Sequence, residues 1–175
     1  MGVPQRRERV FFIALRKDLA KAFLKQMNLF DILPEIKLEF NEPKILFNEI
    51  YEENGIGEQR IPPSYSSMWD QKMMYENSMN ETTKRIEGVE KFFSVKYISK
   101  HKVLNTILGC EKNILHDVKR TLSKLELCNG GSYPLDYEFI NNKPSYLIGM
   151  SIPPVMVAQI ASEIFVQWLS KLDCA

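Results

Sequence analysis

The chain is 175 residues long, 45% hydrophobic and 26% charged, enough for one domain with a real core or for parts of two. Its 23 Lys and Arg nearly cancel its 22 Asp and Glu, and a net charge of +1 excludes the strongly basic balance of a general nucleic-acid-binding chain. Any such contact must come from local clusters. Cys110, Cys128 and Cys174 share no short spacing, and His101 and His116 stand apart from them, which argues against a zinc site. No cationic start leads into a secretory-type apolar segment, and no apolar stretch is expected to span a membrane, so the reading is an intracellular protein with reduced thiols.

In chain order, GVPQRRERVFFIAL comes first. Gln5, Arg6, Arg7 and Arg9 form a cluster of hydrogen-bond donors in front of Val10 to Ala14, and the apolar run predicts a buried strand over 9–15. The following RKDLAKAFLKQMNLF places Leu19, Phe23, Leu24 and Met27 at helical spacing. IKLEF over 36–40 alternates as a half-buried strand does, and KILFNEI after Pro43 reads as a further extended piece.

The stretch from about Glu52 to Glu90 is rich in Asn, Ser, Glu and Lys and carries the breakers Gly55, Gly57, Pro62 and Pro63. Its Gly-x-Gly lacks a preceding strand and a third glycine, so a turn is the expectation. KFFSVKYISK returns to β-like alternation, with Phe93, Val95 and Tyr97 on one side. Lys96, Lys100, His101, Lys102, Lys112, Lys119 and Arg120 make the densest basic region; they read either as phosphate-facing groups or as a solubilising surface.

Near the end, GMSIPPVMVAQIASEIFVQWL predicts a loop, two prolines at a helix start and a helix over about 154–171. Val157, Ile160, Ala161, Ile164, Phe165, Trp168 and Leu169 form its expected apolar face. A helix of this kind needs a broad surface to pack on. Left uncovered, it predicts self-association.

Three blocks carry a family resemblance. GVPQRRERVFFIA resembles the Gln-x-Arg-x-Arg eighth motif of DNA cytosine-5 methyltransferases, RTLSKLELCNGGSYPLDYEF a degenerate ninth motif, and IGMSIPPVMVAQIA the tenth, a Gly-Asn-Ser-Val-Pro-Pro loop before a helix. Their order and spacing match, with a variable middle where these enzymes keep a target-recognition domain, and NTILGCEKNILH resembles the Thr-Leu segment of such domains. The chain departs from the pattern at Met150, where Asn is usual, and at Asn129 and Gly131, where a second Arg and a Gln are usual.

The resemblance implies a mixed α/β fold in which partial Rossmann-like methyltransferase elements, 1–29 and 126–175, flank a small irregular β-rich recognition domain, 30–125. It also implies a cytoplasmic protein, bacterial or phage-encoded, of the restriction-modification kind. The family adds a cysteine thiolate to C6 of a flipped-out cytosine and passes a methyl group from S-adenosylmethionine to C5. That thiol lies in a Pro-Cys motif, and none of the nine prolines here precedes a cysteine. The Phe-x-Gly-x-Gly cofactor loop and the Glu-Asn-Val motif are absent as well.

The expectation is therefore the C-terminal part or a subunit of such an enzyme, inactive alone and needing a partner that supplies the cofactor loop and the nucleophile. The alternatives are a stand-alone module binding double-stranded DNA and a decayed fragment. By motif position the resemblance assigns Arg9 to the cytosine carbonyl, Arg7 to phosphate or support, and Gln5 to orienting both, with Arg6 solvated. Ser151 reads as a polar contact near the cofactor or as a helix N-cap. Asn105, Thr106 and Ile107 read as a recognition loop or as a plain turn, and Lys102, Lys119 and Arg120 as DNA-facing cations.

Overall fold

In a computed structural model that describes residues 1–20, 36–110 and 112–172, a ladder of four residues separates two apolar cores. Strand β1 (Tyr97–Ile98) runs parallel to β2 (Ile114–Leu115), with Tyr97 opposite Ile114 and Ile98 opposite Leu115. Successive side chains of a strand point to opposite faces. Tyr97 and Ile114 accordingly enter a small core with Met79 and Val95, while Ile98 and Leu115 enter a larger one with Phe47, Leu104, Ile107, Leu122, Leu127, Cys128, Phe139 and Ile148. The larger core draws on both stretches that the resemblance separates. Burial pushes the Cys128 thiol up, which makes it a small apolar residue rather than a nucleophile.

The helices are α1 (Lys17–Ala20), α2 (Pro63–Asp70), α3 (Met79–Glu87), α4 (Lys124–Gly131), α5 (Pro144–Met150) and α6 (Pro154–Gln167). Proline stands at the first turn of α2, α5 and α6, where a missing amide costs no intrahelical bond. Ser78 caps α3 by accepting from the Glu81 amide, and Gly88 ends it at φ +71°. Ser123 caps α4 in a reciprocal box with Glu126. Helix α4 packs on α5, and a side chain at Gly131 would run into Ile148 there.

Under the small core lies a buried carboxylate. Glu76 accepts from Arg85 Nε at 2.7 Å, from the Met73 amide and from the Thr82 hydroxyl, each at 2.9 Å; Thr82 in turn pairs with the Tyr97 hydroxyl at 3.0 Å. Burial alone would raise the Glu76 pKa, but these donors outweigh it and hold the group below its ordinary value of 4.5. A carboxylate with a lowered folded pKa contributes stability that is fully present above its unfolded pKa and is lost as pH falls through the folded value. Chemical unfolding followed at pH 7 and again below pH 4.5 is expected to show this loss, and Glu76→Gln to lack the corresponding pH dependence.

Several sequence expectations need correction. No strand forms over 9–15: the segment is extended without a ladder, with Val10 79% and Phe12 97% exposed. A strand needs a neighbour to take its backbone groups, and none of the described residues supplies one. The 36–40 piece is likewise unpaired with any strand; the Lys37 amide and carbonyl are bonded by the Gln167 side chain at 2.9 and 2.8 Å. KILFNEI contains a 3-10 turn, Phe47–Glu49, and the alternation over 91–100 narrows to β1, with Phe93 exposed and Phe92 turned inward. The helix expected after Arg16 starts at Lys17, and the rest of the expected stretch, beyond Ala20, lies outside the described residues.

Helix α6 starts where the prolines predict, but its covered side differs. Met156 and Ile160 are buried, whereas Val157, Ala161 and Phe165 from the expected face are exposed. The run Pro144–Lys171 is long and apolar enough, by length and composition alone, to cross a membrane, against the expectation from the sequence. In the fold it is two helices of 7 and 14 residues broken at Ser151–Pro153, each shorter than the ~20 residues a span needs.

Candidate active-site segment and nucleic-acid interface

The first residues of the chain are tied down by residues far along it. Residues 5 and 7 of an extended segment face one way and 6 and 8 the other. Gln5 pairs with Leu104 in an isolated parallel bridge, and the Arg6 amide donates to the Leu104 carbonyl at 2.8 Å. The Gln5 side chain donates to the Gly130 carbonyl at 2.7 Å and accepts from the Ile107 amide at 3.2 Å.

Arg7 is 7% exposed and meets carbonyls alone. Its Nη1 donates to Ile107 O at 3.0 Å, and its Nη2 to Gly149 O at 2.8 Å and Ser151 O at 2.5 Å. Burial, followed by the nearby Arg9 charge, lowers its pKa, and among the described residues no carboxylate pairs with it. The guanidinium instead takes up carbonyls left without helical donors at the break between α5 and α6. It is a clamp joining the opening segment, the 105–107 loop and the Gly-x-Ser-x-Pro-Pro loop.

The clamp needs Gly149. A side chain there would collide with the backbone of Leu108 and Gly109, whereas one at Gly109 would make ordinary contact with Met150 and Tyr146. Gly149→Ala is expected to cost about 3 kcal/mol, while Gly109→Ala leaves the midpoint nearly unchanged; thermal unfolding of the two variants side by side checks this.

The sequence profile of the C-5 cytosine-specific DNA methylase family matches residues 1–166. The chain belongs to this family. Its members methylate cytosine in DNA using S-adenosylmethionine. No curated protein and no solved structure matches the chain.

Within this methylase chain the expected site residues fall into two groups. Gln5, Arg7, Ile107 and Ser151 converge on the clamp, and Thr106 joins them by donating its hydroxyl to the Arg6 carbonyl. Ile107 is fully buried in the larger core, so its side chain does not face a groove; that expectation is corrected. Ser151 is the C-cap of α5, not an N-cap of α6: its amide donates to Leu147 O and its hydroxyl to Ile148 O, both at 3.0 Å. Its hydroxyl donates and its carbonyl accepts inside the fold.

Arg9 differs from Arg7. It is exposed, and its Nη1 reaches only the carbonyl of Glu8, at 2.7 Å. Arg120 belongs to the interior: it makes a bidentate pair with Glu126 at 2.7 and 2.8 Å and donates to Glu52 O at 2.7 Å, which corrects its assignment as a DNA-facing cation. Lys119 pairs with Asp70 at 2.6 Å.

Asn105 and Lys102 line a cleft of about 330 Å³ together with Arg6, Lys96, Asn77, Ser78, Glu81 and Tyr97. Glu81 accepts from the Asn77 amide at 2.8 Å and from the Ser78 hydroxyl at 2.9 Å, so the cleft holds three cations against one carboxylate. The expectation of a solvated Arg6 overlooks this placement. The alternation that turns residues 5 and 7 inward also turns Arg6 toward the cleft, and that period-two signal was available in the sequence.

Proposed function

We propose that this chain is the C-terminal part, or a subunit, of a DNA cytosine-5 methyltransferase, supplying target recognition and support for the flipped cytosine. The observation that carries this is the contrast between two arginines two residues apart. Arg7 is used up as a clamp, whereas Arg9 is exposed and bonds only its neighbour's carbonyl, leaving further donors open. Such a group can hydrogen-bond the ring carbonyl of an extruded cytosine as negative charge develops there. The 105–107 loop is held to the same segment, so target reading and support of the reacting base share one frame.

The uncovered Val10, Phe12, Val157 and Phe165 supply the apolar surface on which a partner carrying the cofactor loop and the nucleophilic cysteine would pack. Arg6, Lys96 and Lys102 would meet phosphate in the adjoining cleft. On this reading the chain alone is inactive. Methyl transfer from labelled S-adenosylmethionine to mixed-sequence DNA, by the chain alone and after co-expression with a chain that carries the missing motifs, tests it. Activity only in the second arm is expected. Silence in both, with salt-dependent DNA binding retained, would favour the stand-alone binding module that the cationic cleft also suits.

A further inference from the structure

We propose that Met74 and Tyr75 form an apolar wedge that inserts at a base step of duplex DNA, beside the cationic cleft. The proposal rests on the DNA-binding reading above and adds a contact that the reading does not assign. Met74 is 83% and Tyr75 71% exposed, and Met73 is exposed beside them. Large apolar side chains grouped at an exposed tip mark a contact surface.

The tip stands on a fixed base. Arg85 Nη2 donates to the Gln71 carbonyl at 2.5 Å, the Met73 amide donates to the buried Glu76, and the Asn77 side chain donates to the Tyr75 carbonyl at 3.0 Å. The backbone is held while the side chains of residues 73–75 point outward, as a wedge requires. Asn77 also accepts from Lys102 Nζ, so the tip is continuous with the cleft of Arg6, Lys96 and Lys102. On its other flank Lys72 Nζ lies 3.9 Å from the centroid of the Trp69 ring. Of the acids around the tip, Glu76 is paired with Arg85 and Asp70 with Lys119, while Glu81 accepts from neutral donors and Asp117 acts on Lys72. An apolar projection with a net positive cleft along one flank suits a nucleic acid, whose phosphates take the charges of Arg6, Lys96 and Lys102 while a step between bases takes the side chain. Flexible pyrimidine–purine steps open most easily.

The test uses mixed-sequence duplexes, each with one 2-aminopurine in place of adenine at a TA step. Binding of the unaltered chain is expected to raise 2-aminopurine emission as the step unstacks. Met74→Ala/Tyr75→Ala should abolish the rise and weaken binding about tenfold without changing the slope of affinity against salt. Lys102→Ala should do the reverse, lowering the slope and keeping the rise. Equal emission and affinity for the double variant and the unaltered chain would overturn the wedge and leave the DNA-binding reading standing. Failure of the unaltered chain to bind any duplex would overturn both. A double variant that binds DNA normally but no longer assembles with a complementing methylase chain would assign the tip to protein docking instead.

Discussion

Arg9→Ala is expected to lower kcat for methyl transfer by the complemented enzyme about 10²- to 10³-fold while leaving the fold and DNA affinity nearly unchanged. That range is typical for loss of one pre-placed donor to a developing oxyanion. The fold is spared because Arg9 is exposed and bonds only its neighbour's carbonyl. Arg6 provides the internal contrast. Lining the cleft, Arg6→Ala should raise KM for DNA and lower the salt slope by about 0.9, with kcat little altered. Single-turnover methyl transfer at saturating DNA separates the two. If Arg9→Ala raised KM alone, the group would be a phosphate ligand and not a support for the reacting base.

The second large effect is at Glu126, where replacement by Gln should cost about 3–5 kcal/mol and lower the thermal midpoint by roughly 6–20 °C. Its carboxylate is 0% exposed and takes four donors: both Arg120 nitrogens, the Ser123 amide at 2.9 Å and the Glu52 amide at 3.0 Å. A glutamine amide fits the space but turns two donor hydrogens toward donors and leaves the Arg120 charge, normally raised in pKa by this partner, buried without a counter-charge. Removing both members as Arg120→Met/Glu126→Leu should cost less than removing either alone. Calorimetry of the three variants checks this, and Arg120→Met should leave the salt slope of DNA binding unchanged, since that guanidinium faces inward.

The contrast between Arg120 and Lys102 bears on what a sequence makes legible. Both sit in the densest basic region, and nothing in the local pattern separates an inward arginine from an outward lysine. The deciding partner, Glu126, lies in a capping box, Ser123-x-x-Glu126, which is a readable helix start. The same signature at Ser78-x-x-Glu81 begins α3, and Pro62-Pro63 begins α2 just as Pro153-Pro154 begins α6. These signals were present in the middle of the chain but were hidden by its polar composition.

The failed strand over 9–15 has a different cause. Its apolar run is a sound core-strand pattern, but whether a run is buried depends on a neighbouring sheet, and composition cannot say which chain provides it. For α6 the periodicity located the helix and misplaced its covered side, because the apolar residues extend around more of the helix than the 36–42 segment covers. The clamp at Arg7 was beyond local pattern altogether, since its acceptors lie 100 to 144 residues away.

That separation bears on synthesis. Arg7 finds its last acceptors at Gly149 and Ser151, so the clamp cannot close until the ribosome has made and released residues near 151, although the partners of this segment at 104–107 and Gly130 are made earlier. At about 5–20 residues per second, the intervening stretch occupies roughly 7–30 s of translation. For the whole of that interval the Arg7 guanidinium lacks its last two acceptors, and a complementary polypeptide present at the ribosome could reach it before Gly149 and Ser151 do.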